Sequence, residues 1–209
     1  MRWVLVLLLS TRLAFADGEK AGDFDYYVLS LSWSPTWCAL EGDARGSPEC
    51  AADADFGWVL HGLWPQYETG WPSYCFSPYG NPSRQTTDGM ADIMGSGGLA
   101  WYQWKKHGRC AGLAAESYFD QARRAYEAIT RPEVFHKLTR AVELPAAVVE
   151  EAFLTENPQL WPDAITVTCK DARIQEVRIC LTPDLEPRDC GADTVRDCRL
   201  QNALFEPVR

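Results

Sequence analysis

His61 opens the pentad HGLWP, and His107 is the penultimate residue of QWKKHG, Gln103 to Gly108. Histidine titrates near pH 6.5, so one imidazole can be neutral while a second is charged at mildly acidic pH. On a helix, Tyr102, Gln103, Lys106 and His107 are one to five positions apart and share one surface patch, which unites a phenol, an amide, a fixed positive charge and a proton carrier. Gly62 lets the backbone turn or approach a ligand closely. Trp64 offers a flat face on which a base can stack. Cleaving a phosphodiester through the neighbouring 2′-hydroxyl needs a base, an acid and positive charge on the non-bridging oxygens. His61, His107 and Lys106 supply all three without a metal. The attacking hydroxyl would come from the substrate, which selects RNA over DNA.

These residues need a scaffold that brings two distant segments together. DFDYYVLSLSWSP alternates bulky and small polar residues and reads as a strand. FGWVL reads as a short strand ending in a turn, with HGLWP following it. GSGGLAWYQWKKHG reads as a helix opened after glycines and closed by Gly108. AAESYFDQARRAYEAI sets Tyr118, Phe119, Ala122 and Tyr126 on one helical face, and LPAAVVEEAFL extends the helical part. AITVTCKD and IQEVRICL return to β character. Strands at both ends with helices between them predict an α+β domain.

The first residues, MRWVLVLLLSTRLAFADGEK, combine an early arginine, a short apolar run and AFA, so they read as a signal peptide cut near Ala16. Residues 17–209 then form one domain in a secreted or periplasmic protein. The apolar run is too short to span a bilayer, so no membrane partner is expected. The formal net charge is −9, and losing Arg2 and Arg12 takes it to −11. Broad electrostatic capture of a polyanion is thereby disfavoured. Against this background Lys105, Lys106, His107 and Arg109 form a local basic cluster suited to a single phosphate. The eight cysteines are even in number, all lie beyond the signal peptide, and none forms a C-x-x-C pair. Four disulfides are expected, and neither a metal nor another cofactor.

HGLWP followed by a W-x-K-H-G-x-C segment, in a cysteine-paired exported chain, closely resembles the secreted endoribonucleases of the ribonuclease T2 family. The resemblance runs from FDYYVLSLSWSPTWC to the cysteine-rich C-terminus. It implies an α+β fold with a central, mainly antiparallel sheet and packed helices. It also implies single-stranded RNA as substrate, cleaved to a 2′,3′-cyclic phosphate that is then hydrolysed to a 3′-phosphate. Carried over by position, His61 would be the acid towards the 5′-leaving oxygen, His107 the base on the 2′-hydroxyl, and Lys106 the stabiliser of the phosphorane. The chain departs from the family's second motif at three places. Tyr102 and Gln103 stand where the family usually has His-Glu, and Arg109 where it has threonine. Tyr102, Gln103, Lys105 and Arg109 can still donate to phosphate oxygens.

Trp64, Gln66, Trp71 and Tyr74 are candidates for contacting a base. Trp33, Trp37 and Trp58 read as core, and His136 as structural or exposed. The resemblance suggests Cys38 with Cys50, Cys75 with Cys110, Cys169 with Cys198 and Cys180 with Cys190, although connectivity does not follow from sequence. A monomer is expected. Two other readings are a family member that binds RNA without turnover and an aromatic carbohydrate-binding module, the second of which leaves the His-Lys-His set without a use. A metal-dependent nuclease needs a carboxylate cluster, which Asp53, Asp55 and Asp88 do not form on this reading.

Overall fold

The structure is a computed structural model that describes residues 19–209. The signal-peptide reading of residues 1–16 falls outside them. Six strands form one sheet: β1 (Tyr26–Trp33), β2 (Trp58–Gln66), β3 (Val142–Leu144), β4 (Ile165–Lys170), β5 (Arg173–Leu181) and β6 (Ala203–Phe205). The order is β2-β1-β5-β6-β3, with β4 also paired to β5. Only the single β5–β6 contact is parallel, so the α+β fold with a mainly antiparallel sheet holds. Among the described residues seven α-helices accompany it: α1 (Ser34–Trp37), α2 (Arg84–Asp88), α3 (Ala91–Met94), α4 (Gly97–Lys106), α5 (Ala115–Glu127), α6 (Glu133–His136) and α7 (Ala146–Glu156).

β1 is buried on both faces. Tyr27, Leu29, Leu31 and Trp33 enter the main core, while Tyr26 and Val28 pack against Cys180 on the other side. Trp33 and Trp58 are core residues, as their apolar neighbours suggest, and pack together with Phe205 and Phe153. Trp37 is only partly buried.

The expected turn before HGLWP is absent. β2 instead runs on through Gln66, and its pairing with β1 slips between Ser30 and Leu31, where Ser30 faces Gly62 and Leu31 faces Leu60. His61 is the extra residue of a β-bulge, a device that breaks the two-residue alternation and re-aims a side chain. Leu60 and Leu63 both reach the core although three positions apart. A second slip, between β4 and β5, pairs Thr168 with Glu176 and Cys169 with Ile174, so Gln175 is skipped. Ile174 and Val177 thereby both face the core, and Glu176 and Arg178 both lie on the opposite face of the sheet.

α4 starts where the Ser96 side chain accepts from the Leu99 N–H, and it buries Trp104. α5 lies behind β2, where the wholly buried Tyr118 hydroxyl donates to the Leu63 carbonyl at 2.8 Å. Gly108 permits this packing, because a Cβ there would meet the Trp104 and Tyr118 rings at 2.7 and 2.8 Å.

All four cysteine pairs suggested by the family resemblance are present: Cys38–Cys50, Cys75–Cys110, Cys169–Cys198 and Cys180–Cys190. Cys75–Cys110 joins the segment after β2 to the end of α4, alongside a hydrogen bond from the Tyr74 N–H to the Lys106 carbonyl. Replacing Cys75 and Cys110 together by serine is predicted to lower unfolding stability by about 2–4 kcal/mol. Urea titration of the oxidised parent and the double variant measures this as a lower midpoint.

Candidate active site

The β2 bulge delivers His61 to a surface where β5 and α4 meet. Its Nδ1 lies 2.6 Å from Oε1 of Glu176. A carboxylate can only accept, so Nδ1 carries a proton there and Nε2 is the nitrogen left for chemistry. Glu176 is almost fully buried, yet it also takes two hydrogen bonds on Oε2, from Arg178 Nε at 2.9 Å and Nη2 at 2.7 Å. Burial pushes its carboxyl up, but the hydrogen bond and charge of His61 and the Arg178 guanidinium outweigh this and bring it down to about 2.

His107 sits where α4 ends, its N–H donating to the Gln103 carbonyl. In contrast to His61 it is buried, with 6% exposure, and its Nδ1 has no partner among the described residues. Burial lowers it first, and the charges of Lys106 and His61 add to this, to about 3. Desolvation therefore outweighs the helix C-terminus, whose negative end favours a charged imidazole.

Trp64 separates the two histidines. Its ring stacks on His107 at 5.2 Å and 27°, and meets His61 edge-on at 5.2 Å and 79°. The indole Nε1–H donates to Gln103 Oε1 at 2.8 Å, which fixes the ring between β2 and α4. Gly62 is required beneath it, since a Cβ would collide with both the indole nitrogen and the Gln103 oxygen.

A cleft of about 510 Å³ is lined by His61, Trp64, Gln66, Trp71, Tyr102, Gln103, Lys106 and His107. The two segments singled out in the sequence thus converge. Within the cleft Gln66 is buried and its amide donates to the Pro65 carbonyl, whereas Trp71 is half-exposed. Tyr74, Lys105 and Arg109 do not line it. Lys105 points outward from α4, Arg109 is held by Asn81 Oδ1 at 2.7 Å, and Tyr74 contacts this region through its backbone. The histidine read as structural or exposed, His136, lies at the end of α6 beside Asp55, away from the cleft.

Residues missed from the sequence come from β5, namely Gln175, Glu176 and Arg178, and from the segment after it, namely Asp193, Thr194 and Arg196. For β5 the available signal was the polar Gln-Glu-x-Arg run inside the apolar frame of IQEVRICL. A second groove, of about 660 Å³, lies on another side of His61 and shares Tyr102, Gln175 and Glu176 with the first. Trp37 and Glu49 line it, and burial raises the Glu49 carboxyl. No group of three or more metal-ligating side chains occurs among the described residues.

This disulfide-linked α+β fold, with two imidazoles facing one cleft, is of the ribonuclease T2 type. A sequence model of the ribonuclease T2 family matches residues 24–190, and the chain belongs to that family. A protein from Aeromonas hydrophila named "Ribonuclease" is 41% identical over 107 residues, covering 51% of this chain. The chain spans about half the length of that relative, 46%. "Ribonuclease I" of Escherichia coli (strain K12) is 29% identical across 87% of this chain and 84% of its own. Among solved structures, an RNase-related protein from Calystegia sepium has a TM-score of 0.68 at 19% identity, covering 91% of this chain and 98% of its own. That likeness concerns the fold.

Both low pKa values make the protein acid-sensitive. Between about 6.5 and 3 the unfolded chain takes up a proton at His107 that the folded chain refuses, so stability falls as pH drops through that window. The Glu176 contribution is present above the ordinary carboxylate range and is lost as pH falls towards 2. His107→Gln is therefore predicted to narrow the gap between urea midpoints at about pH 7 and pH 4. An unchanged gap would contradict a buried neutral His107.

Proposed function

We propose that this protein is a metal-independent endoribonuclease that cleaves single-stranded RNA by transphosphorylation and then hydrolyses the cyclic product. The observation that carries this reading is the pairing of His61 and His107 across Trp64 in opposite surroundings, with Lys106 beside them. His107, neutral at working pH, takes the proton of the 2′-hydroxyl as the 2′-oxygen bonds to phosphorus. His61 gives its Nε2 proton to the 5′-oxygen as the P–O5′ bond breaks. Lys106 meets the charge that builds on the phosphorane. In the second step the roles reverse: His61 accepts a proton from water, His107 returns one to the 2′-oxygen, and the enzyme is restored.

A bound phosphate between the imidazoles places an anion beside His107, and so makes it a better base. Trp64 and Trp71 offer stacking surfaces on the cleft side. The two grooves that meet at His61 suit nucleotides on both sides of the scissile bond, which favours internal cleavage. Export as a secreted or periplasmic protein belongs to the same reading, as does a single domain over residues 17–209. The four disulfides support an oxidising location.

Cleavage of single-stranded RNA by the oxidised protein with chelator present tests the proposal. The expected product carries a 2′,3′-cyclic phosphate. Activity is expected to drop at least ~10²-fold in each of His61→Ala and His107→Ala. RNA that is bound but left intact at every pH would favour the non-catalytic binding reading.

A further inference from the structure

The positive charge in the cleft comes from α4, from β5 and, through Arg196, from the segment that follows β5. α4 supplies Lys106, while its neighbours there, Tyr102 and Gln103, are uncharged. β5 supplies Arg178. We propose that Arg178 is a catalytic residue whose guanidinium contacts the non-bridging oxygens of the scissile phosphate, held in place by Glu176. The proposal rests on the ribonuclease reading above and assigns a residue to it.

The sheet register explains why this side chain reaches the cleft. Arg178 is paired with Ser30 on β1 and Thr166 on β4, and Glu176 with Ser32 and Thr168. Paired residues project to the same face, so the two long charged side chains rise between short neighbours on both sides. The bulge at Gln175 sets them on this face while Ile174 and Val177 stay in the core.

The hydrogen bonds then decide which edge of the guanidinium is available. Glu176 Oε2 accepts from Nε and Nη2, so one edge is occupied. Nη1 donates to no acceptor among the described residues, and the Nη1/Nη2 edge remains for an anion. A planar fork fixed along one edge presents the other in the geometry that binds phosphate oxygens pairwise. The Arg178 side chain keeps 23% exposure in a position that lines the cleft, and its Cζ lies 5.4 Å from the centre of the Trp64 ring, which itself stacks on His107. Glu176 therefore links the acid to the cation: one oxygen holds His61 and the other holds Arg178.

Arg196 also lines the cleft, but its Nε donates to the Asp193 carbonyl and no carboxylate among the described residues clamps it. Its control variant separates a general loss of cleft charge from the loss of this particular contact.

The test uses the oxidised full-length mature protein carrying Arg178→Met, Arg178→Lys or Arg196→Met, assayed on short single-stranded RNA with inorganic phosphate as competing anion. Arg178→Met is expected to lower kcat ~10²-fold, as loss of one preorganised donor to a developing oxyanion does, and to weaken phosphate inhibition about tenfold. Arg196→Met is expected to fall less in kcat than Arg178→Met. If Arg178→Met does not melt cooperatively, Arg178→Lys carries the test. It keeps the charge, loses the fork, and is expected to reduce kcat about tenfold. Variants at Arg178 that hold kcat within about threefold of the parent, while His107→Ala is inactive, would leave the ribonuclease reading intact and overturn this one. A parent protein that never cleaves RNA would overturn both.

Discussion

One indole holds two imidazoles at the same distance in unlike surroundings. Trp64 meets His61 and His107 at 5.2 Å each, but His61 has a buried carboxylate on Nδ1, while His107 is enclosed with its Nδ1 unpaired. On the first side the carboxylate accepts from Nδ1 and leaves Nε2 to the cleft, while on the second desolvation disfavours a proton. The proposed acid–base chemistry depends on that asymmetry. Two equivalent histidines in one solvated cleft would not be divided into donor and acceptor before substrate arrives.

The surrounding fold serves to keep the indole where it is. Gly62 gives it room, Gln103 anchors its nitrogen, and Tyr118 fixes the β2 backbone one residue away at Leu63. Cys75–Cys110 then ties the loop after β2 to the turn after α4, so that the elements carrying His61 and His107 are joined by the Trp64–Gln103 hydrogen bond at one point and by a covalent bridge at another. Small displacements matter here, since about 1 Å of misplacement can lower a rate ~10²-fold. Two bulges supply the finer adjustment. Each lets apolar residues three apart share the core, Leu60 with Leu63 and Ile174 with Val177, and turns a polar residue between them towards the grooves.

The motifs HGLWP and QWKKHG were legible because their chemistry is carried by residue type and short spacing. The α+β class followed from alternation in β1, the helical faces of α4, α5 and α7, and the return of β-branched residues near the C-terminus. The bulges were not legible: an extra residue in a strand looks like the end of a strand, which is why a turn was expected before His61. Glu176 and Arg178 were passed over for a related reason, since charged residues on a strand normally face solvent, and only the pairing with Ser32 and Ser30 directs them to the cleft. The grouping of Lys105 and Arg109 with the site reflected proximity in sequence, whereas on the helix and the turn after it they point elsewhere. The balance between helix dipole and burial at His107 depends on an enclosure that no local pattern encodes.

The most direct test is an NMR titration of the imidazole nitrogens of the free protein from about pH 8 to pH 4. His107 is expected to remain neutral throughout, far below the ordinary histidine value of about 6.5, because burial opposes its charge. A His107 imidazole that protonates between about pH 6 and 7 would mean that its site is solvated. The division of labour across Trp64 would then lose its physical basis.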